Sequence, residues 1–293
     1  MNRALVSALT LALCTAAIGC GEPPAKKPYL TRYDRPLHIS HRGGSEVLPE
    51  DTIFAYQFAI SLYQTDVLEI DVHRTSDGVL MVMHDETVDR TTDGAGAIRD
   101  LTFEQIRRLD AGYRFTSDGG KTFPYRGRGI VVPTLDEVFR AFPDTLTNVE
   151  AKQIHPGIEE DIARMVLELG MVEKVCLGSF DDNSAEILRG LVPDACHYAP
   201  ESMATQFYAA TRVSLGGAFP LPVDAFALPP TSGILTVVDD GMLNAAHDRN
   251  KAVWVWTIND EAEMKRLYEL GVDGVMSDRP DLLAKVMTEL KLR

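Results

Sequence analysis

Residues 66–85 read DVLEIDVHRTSDGVLMVMHD, and their spacing constrains the fold. Two apolar segments, each typical of a β-strand, are separated by only six residues, HRTSDG. A helical crossover between parallel strands needs more residues, so the two strands are predicted to be antiparallel, joined by a turn centred near Asp77. In that register His84 returns to the level of Ile70 and Asp71. The hairpin therefore brings a histidine beside a strand that carries carboxylates.

From about Pro36 onward, short apolar segments alternate with amphipathic helices. The predicted strands lie at residues 36–40, 66–72, 147–152, 174–180, 195–200, 224–230, 252–259 and 273–278. This alternation indicates an α/β fold, a TIM (β/α)8 barrel in one domain. The second arm of the hairpin is then an antiparallel excursion after strand 2 rather than a barrel strand. A doubly wound open sheet is the alternative.

Two of the predicted helices have a marked N-terminal signal. Thr102 with Gln105, and Thr134 with Glu137, have the spacing of capping boxes. In a capping box the two side chains satisfy backbone N–H groups that the first helical turn leaves free. The signal fixes where these helices begin.

The composition restricts the class of partner. The chain has 293 residues, 45% hydrophobic and 25% charged, which is enough to bury a large core. Its formal net charge is −14. Nucleic acids and anionic membrane surfaces select for basic patches, so neither is expected as the main partner. An acidic chain suits a site that gathers carboxylates around a cation.

The N-terminus has the pattern of an exported protein. Arg3 precedes an apolar run and small residues that end in AIGC at Cys20. AIGC resembles the lipobox of bacterial lipoproteins, in which the cysteine is lipidated. We therefore predict a signal peptide at 1–19, a lipidated N-terminus with a Pro-rich tether at 20–35, and the barrel domain at 36–293. The protein would be membrane-anchored in the cell envelope; cleavage without lipidation is the alternative.

Three acidic residues are predicted to meet at the barrel mouth. Side chains alternate along a strand, so Glu69 and Asp71 share one face, as do Glu150 and Lys152. Active sites of such barrels lie at the carboxyl ends of the strands. Three carboxylates there would repel one another unless a cation lay between them, and oxygen ligands favour Mg²⁺, Ca²⁺ or Mn²⁺ over Zn²⁺. The alternative is a salt-bridge cluster with Lys152 and Arg42.

Two histidines converge on the same place. His41 and His84 each end an apolar strand and precede a charged residue. Histidine is the side chain best suited to proton transfer near neutral pH. Arg42 and Lys152 could hold phosphate oxygens. Together these groups predict a site that cleaves a phosphodiester.

Five other residues have open interpretations. Phe180 and Trp256 lie at strand ends, where they either line the mouth and pack on the substrate or belong to the core. Asp278 closes the last strand and is interpreted as a cap of the next helix. Cys176 and Cys196 lie in apolar strands, and their spacing fits either two buried thiols or a disulfide of an exported protein.

Several short motifs occur in a fixed order. They are HRG at His41, PED-T at Glu50, EIDV at Glu69, SDG at Asp77, HD at His84, VEAK at Glu150, SFD at Ser179 and VWTIN…GVDGVMSDRPD near the end. This ordered set, covering roughly Pro36 to Leu283, resembles the glycerophosphodiester phosphodiesterase family. The resemblance implies a TIM barrel, a divalent cation (Mg²⁺ or Ca²⁺), and hydrolysis of small glycerophosphodiesters to sn-glycerol 3-phosphate and an alcohol.

Matching motif positions implies residue roles. His41 and His84 would form the acid–base pair, and Arg42 and Lys152 would contact the phosphate. The implied metal ligands are Glu69, Asp71 and Glu150. One position departs from the pattern, because the family usually has Asn where this chain has Asp51. That departure leaves open whether the preceding Glu50 joins the metal ligands or braces the loop.

Two other functions are compatible with these residues. One is a phospholipase of the same fold that acts on lysolipids or inositol lipids. The other is a non-catalytic surface lipoprotein that uses the barrel as a binding scaffold. A pure scaffold has no reason to gather repelling charges, and the two histidines with three carboxylates therefore favour an enzyme.

Overall fold

The structure is a computed structural model that describes residues 24–293. Its β-strands are β1 (Leu37–Ser40), β2 (Val67–Arg74), β3 (Leu80–Val82), β4 (Leu146–Ala151), β5 (Val175–Gly178), β6 (Cys196–His197), β7 (Ala225–Leu228), β8 (Thr231–Ser232), β9 (Leu235–Thr236), β10 (Ala252–Val255) and β11 (Gly274–Ser277). Its α-helices are α1 (Ile53–Ser61), α2 (Phe103–Arg107), α3 (Leu135–Ala141), α4 (Glu159–Glu168), α5 (Asp182–Leu191), α6 (Glu201–Arg212), α7 (Asp240–His247), α8 (Glu261–Leu270) and α9 (Pro280–Glu289).

A parallel barrel forms from β1, β2, β4, β5, β6, β7, β10 and β11, in that order around the ring. Ser40 of β1 pairs with Ser277 of β11 on one side and with Leu68 of β2 on the other. A parallel bridge between Tyr198 and Ala225 brings the two ends of the sheet together. The predicted TIM barrel is confirmed. The open-sheet alternative is wrong, because the first and last strands of the chain are neighbours.

The hairpin excursion is also confirmed. β3 pairs with β2 in antiparallel orientation, with Val82 opposite Val72. One residue further along, the Met83 N–H donates to the Asp71 carbonyl at 2.9 Å. His84 follows directly, so the hairpin returns it to the carboxyl end of the barrel next to the acidic residues of β2.

The helices pack outside the strands and begin where their caps predict. Both capping boxes form: the Thr102 hydroxyl accepts from the Gln105 N–H at the start of α2, and Thr134 does the same with Glu137 at the start of α3. Outward side chains such as Ile70 pack with α3, α4 and α5 in one apolar cluster. The alternate residues of each strand are left to face the inside of the barrel.

The amino end of the barrel is closed by a short 3₁₀ helix at Pro28–Thr31. Its Tyr29 is buried, packs at 6.0 Å from the Trp254 ring, and donates its hydroxyl to the Asn148 side chain at 2.6 Å. With this end filled, the carboxyl ends of the strands form the open mouth of the barrel.

Cys176 and Cys196 form a disulfide between the neighbouring strands β5 and β6. The sequence left this pairing open. Among residues 24–293, no helix combines the length and the apolar character that crossing a membrane requires. The predicted signal peptide at 1–19 and the lipidation site at Cys20 lie outside the described residues.

Candidate active site

The carboxyl ends of the strands surround a cavity of about 130 Å³. The structure brings together in its lining the nine residues of the barrel that the sequence predicts for the site. They are His41, Arg42, Glu69, Asp71, His84, Glu150, Lys152, Phe180 and Trp256. One side of the cavity is polar and charged, and the other side is largely apolar.

Three carboxylates form the floor of the cavity. Glu69 and Asp71 come from β2 and Glu150 comes from β4, and each is at most 9% exposed. One oxygen from each lies within 4.8 Å of the others. Strand alternation produces this convergence, because Glu150 pairs with Asp71 across the two strands and projects from the same face.

Two cations contact these carboxylates. Nε of Arg42 lies 3.3 Å from Asp71, and Nζ of Lys152 lies 3.1 Å from Asp71 and 2.9 Å from Glu150. The salt bridges predicted as the alternative to a metal site are therefore present, but the positive charges of Arg42 and Lys152 do not balance three carboxylates. Among the described residues, neither oxygen of Asp71 has a well-directed hydrogen-bond donor. Buried, under-satisfied carboxylate oxygens fit a divalent cation of the Mg²⁺ or Ca²⁺ type.

The pKa values of the three carboxyl groups agree with a cation site. Burial, reinforced by the nearby Asp71 charge, raises the pKa of Glu69 well above its usual range. The same two causes raise the pKa of Glu150 to about 7. Burial also acts to raise the pKa of Asp71, but Lys152 and Arg42 outweigh it and lower that pKa. Full ionisation of the cluster therefore calls for additional positive charge.

The HRG sequence forms a tight turn directly after β1. Arg42 has φ +52° and Gly43 has φ +80°, the left-handed region that favours glycine. A Cβ on Gly43 would lie 2.9 Å from both Ala55 and the Tyr56 ring of α1. The turn directs the Arg42 backbone N–H to Glu69 at 3.2 Å. Strain of this kind at Arg42 is typical of a functional loop.

His41 is oriented by Asp278, which follows β11. Its Nδ1 lies 2.6 Å from the carboxylate of Asp278, and that carboxylate also accepts from the Ser45 hydroxyl at 2.5 Å and from the Asn259 amide at 2.8 Å. Nε2 of His41 then lies 3.9 Å from Glu69. The interpretation of Asp278 as a helix cap is wrong, because its side chain makes these contacts and α9 has no side-chain cap.

His84 is oriented by the next residue in the chain. Its Nδ1 lies 2.9 Å from Asp85, which Arg90 holds with two hydrogen bonds of 2.6 and 3.1 Å. Arg90 also makes two hydrogen bonds of 2.7 Å to Glu50, and Glu50 lies 3.3 Å from Arg42. Glu50 therefore braces the loop and stands apart from the three-carboxylate cluster. Burial lowers the pKa of His84.

Asp51, the position that departs from the family pattern, is 3% exposed. One oxygen accepts from the Tyr56 hydroxyl at 2.8 Å, while the other has no partner among the described residues. Burial, with the nearby charge of Asp71, raises the pKa of Asp51 well above its usual range. These surroundings favour the protonated form of Asp51. This neutral form resembles asparagine in shape and in hydrogen-bonding groups more closely than the carboxylate does.

The apolar wall of the cavity is built from aromatic rings. Phe180 and Trp256 lie edge to face, with ring centroids 5.9 Å apart. Nζ of Lys152 lies 5.6 Å from the Phe180 ring centroid, so this wall borders the charged floor. The Tyr198 ring covers Gly178 so closely that a Cβ at this position would overlap the ring. Glycine at the end of β5 thus makes room for the wall.

Sequence reasoning missed the groups that hold the histidines. Asp85 had a local signal, since it follows His84 directly. Asn259 and Asp278 had only the weak signal that both follow barrel strands. Arg90 lies in a loop, and nothing in its spacing relates it to Glu50, 40 residues earlier.

A parallel barrel whose mouth joins two carboxylate-held histidines, two cations and a cluster of carboxylates defines a class of enzyme that cleaves phosphate esters. Residues 41–282 match the family model described as the glycerophosphoryl diester phosphodiesterase family. The chain belongs to the glycerophosphodiester phosphodiesterase family and is a phosphoric diester hydrolase.

Relatives and a solved structure agree with this assignment. A glycerophosphodiester phosphodiesterase of Caldanaerobacter subterraneus subsp. tengcongensis is 34% identical, over 86% of this chain and 97% of that protein. One of Bacillus subtilis is 32% identical, over 89% and 90% of the two chains. The crystal structure of a glycerophosphodiester phosphodiesterase from Agrobacterium tumefaciens superposes with a TM-score of 0.70 at 26% identity, covering 85% of this chain and 99% of that one.

Proposed function

We propose that this enzyme cleaves glycerophosphodiesters to sn-glycerol 3-phosphate and an alcohol with His41 and His84 as its acid–base pair and a divalent cation as cofactor. One observation carries the proposal. Two histidines, each with Nδ1 tied to a carboxylate, line one cavity with three buried carboxylates. Nε2 of each histidine is left for proton transfer.

The proposed proton path uses these contacts. Water attacks phosphorus while the bond from phosphorus to the leaving alcohol breaks. His41 accepts the proton of the water on Nε2, and His84 donates a proton from Nε2 to the alcohol oxygen. Arg42 and Lys152 hold the non-bridging oxygens of the phosphate. The exchanged assignment of the two histidines is the alternative.

Glu69, Asp71 and Glu150 would hold the cation, Mg²⁺ or Ca²⁺. Such a cation supplies charge stabilisation for the phosphorus centre. Charge balance supports it, because three carboxylates and two cations leave one negative charge in the cavity. A divalent cation together with the single negative charge of a phosphodiester would make the set neutral.

The direct test is release of sn-glycerol 3-phosphate from glycerophosphocholine, measured with a coupled enzyme. We expect activity with Mg²⁺ or Ca²⁺ and its loss in excess chelator. Glu69→Gln should abolish calorimetric binding of the metal, while the exposed Glu86→Gln, two residues after His84, serves as the matched control. Full activity of the chelated protein would contradict the metal requirement, and absence of product under all conditions would contradict the substrate.

Only one of the two alternative functions stays open. The family assignment identifies an enzyme, so the scaffold alternative is set aside. Cleavage of lysolipids or inositol lipids uses the same phosphate chemistry and stays an alternative substrate class. For inositol lipids, a substrate hydroxyl would attack phosphorus and produce a cyclic phosphate, which ³¹P NMR distinguishes from sn-glycerol 3-phosphate.

We also propose that the protein is exported and anchored through a lipid on Cys20. The AIGC sequence supports this, as does the disulfide between Cys176 and Cys196, since disulfides persist in oxidising compartments. Pro24 contacts Asn250 and Lys27 contacts Pro193, both before barrel strands, so the anchor would leave the mouth facing away from the membrane. Cys20→Ser should abolish fatty-acid labelling and release the protein; an unlabelled, soluble wild type would contradict the anchor.

A further inference from the structure

His73 is a buried histidine near the end of β2 that does not line the active-site cavity. It continues the face of β2 that carries Glu69 and Asp71, because side chains alternate along a strand. The residue is only 5% exposed. A buried polar ring is normally hydrogen-bonded, so the partner of this ring shows what the ring holds in place.

The partner of His73 is the main chain of His84. Nε2 of His73 lies 3.2 Å from the carbonyl oxygen of His84. A carbonyl oxygen only accepts hydrogen bonds, so Nε2 carries the proton and donates it to this bond. The bond lies just beyond the hairpin ladder, because β3 ends at Val82 and His84 follows two residues later.

His41 and His84 differ in how their main chains are fixed. The carbonyl of His41 accepts from the Gly44 N–H at 2.8 Å, within its own turn. Among the described residues, no main-chain N–H donates to the carbonyl of His84. His84 therefore receives from a side chain of the neighbouring strand the hydrogen bond that the local turn supplies to His41.

The hydrogen bond from His73 connects His84 to a different part of the molecule than its other contact does. Asp85 holds Nδ1 of His84, and Arg90 connects Asp85 to Glu50, so these contacts join one loop to another. His73 instead belongs to the strand that carries two of the three carboxylates of the cavity floor. A displacement of about 1 Å in a catalytic group can cost on the order of 100-fold in rate.

We propose that His73 is a positioning residue, which holds the main chain of His84 at a fixed place relative to the carboxylates of β2 and so places the His84 imidazole for proton transfer. The inference rests on the proposed function, because it concerns a histidine of the proposed acid–base pair. His73 lies outside the cavity and contacts no substrate, so it acts on kcat and not on KM. The competing explanation is that this hydrogen bond only stabilises the hairpin.

Three variants of the metal-loaded protein test the proposal. His73→Phe keeps a ring and removes the donor, whereas His73→Gln keeps an N–H donor at a similar reach. We expect His73→Phe to lower kcat for glycerophosphocholine about tenfold with KM unchanged, and His73→Gln to restore most of the rate. Thr75→Val is the matched control, because it removes a buried hydroxyl of the same hairpin that bonds Asp77 at 2.6 Å and the Val79 N–H at 2.8 Å. It should leave kcat unchanged.

A double-mutant cycle separates positioning from a general loss of stability. In the His84→Ala background, His73→Phe should cause no further loss in kcat, since no imidazole is left to be placed. A loss of the same size in both backgrounds would mean that His73 acts through the strand or its carboxylates, and it would overturn the proposal. A rate in His73→Gln as low as in His73→Phe, or an equal loss in Thr75→Val, would overturn it as well.

A measurement without any reaction separates this inference from the proposed function. The ¹³C relaxation of the Cε1–H group of His84, assigned by its disappearance in His84→Ala, reports the order of the imidazole. We expect this order to fall in His73→Phe and to be kept in His73→Gln and Thr75→Val. If that pattern holds while His84→Ala keeps the wild-type rate, or while no diester is hydrolysed, the proposed function fails and the positioning role stands. Unchanged order of His84 in His73→Phe would overturn the positioning role.

Discussion

His41 and His84 make the same contact with a carboxylate through Nδ1, but the two carboxylates are held in different ways. Asp278 is bonded by neutral donors, the Ser45 hydroxyl and the Asn259 amide. No salt bridge among residues 24–293 links it to lysine or arginine. Asp85, in contrast, shares its charge with Arg90 through two hydrogen bonds. His41 therefore contacts a carboxylate whose charge no lysine or arginine neutralises, whereas His84 contacts a carboxylate that Arg90 neutralises.

The pKa values of the two carboxyl groups show the same difference. Burial opposes ionisation of both, yet each has a pKa lowered to about 2. For Asp85 the main lowering cause is Arg90, whereas for Asp278 it is the hydrogen bond with His41. The ionised carboxylate of Asp278 thus depends on His41, whereas that of Asp85 depends mainly on Arg90. The difference fits unequal tasks in proton transfer.

Removing either imidazole should have the largest effect. His41→Ala and His84→Ala should each lower kcat at least roughly 100-fold, because general acid or base help is typically worth 10² to 10⁴ in rate. Metal binding should persist in both. A p-nitrophenyl phosphodiester, whose leaving group needs no proton, then separates the roles: the acid variant should recover on it and the base variant should stay slow.

Equal impairment of both variants on both substrates would contradict separate acid and base roles for the two histidines. Wild-type rates in both variants would put the catalytic centre elsewhere. Recovery of His41→Ala rather than His84→Ala would exchange the two roles and keep the site.

Replacing the carboxylates should have intermediate and unequal effects. Asp278→Asn should lower kcat about 100-fold and Asp85→Asn about 10-fold, the range typical of groups that orient a reactive residue. The Asp278 variant loses a negative charge that no lysine or arginine neutralises, whereas the Asp85 variant loses one that Arg90 had largely neutralised. KM should change little in either. Equal losses in kcat would contradict the distinction between the two supports.

These two supports also show what a sequence can and cannot predict. Strand alternation placed Glu69 and Asp71 on one face, and the six-residue link of the hairpin placed His84 beside them, because both follow from local backbone geometry. Asp278 lies 237 residues from His41 and meets it only because the barrel closes. Arg90 reaches Glu50 and Asp85 through side-chain conformations that no residue spacing encodes.

A smaller effect is expected at Arg90. Burial lowers the pKa of His84 below its usual value. The guanidinium of Arg90 is bonded to Asp85, the partner of His84, and a positive charge at that distance also opposes charging of the imidazole. Arg90→Gln removes that cation, so the pKa of His84 should rise and the limb of the kcat/KM profile that reports it should move to higher pH. Arg90→Lys keeps the charge without the paired hydrogen bonds, and it should leave that limb in place while lowering the rate. An unchanged pH profile in Arg90→Gln would show that Arg90 only orders the loop.

The smallest effect is expected at a histidine–carboxylate pair outside the mouth. This pair serves as a control for the variants described above. Nε2 of His247 lies 2.8 Å from Asp273, and this hydrogen bond raises the pKa of His247. A raised folded-state pKa stabilises the protein below the unfolded value of about 6.5, and the gain disappears as the pH rises through the folded-state value. The pair is about a third exposed, so solvent screening reduces its contribution.

His247→Gln should therefore lower the free energy of unfolding by about 0.5 kcal/mol near pH 5.5 and leave it unchanged near pH 8.5. Urea denaturation at the two pH values measures this difference. The rate of glycerophosphocholine hydrolysis should stay at the wild-type level, because this pair lies before β11 at the closed end of the barrel and contacts no residue of the cavity. A change in kcat comparable to that of Asp85→Asn would mean that losing a histidine–carboxylate pair anywhere in the barrel lowers the rate through stability. The contrast between Asp278 and Asp85 could then no longer be attributed to the histidines they hold.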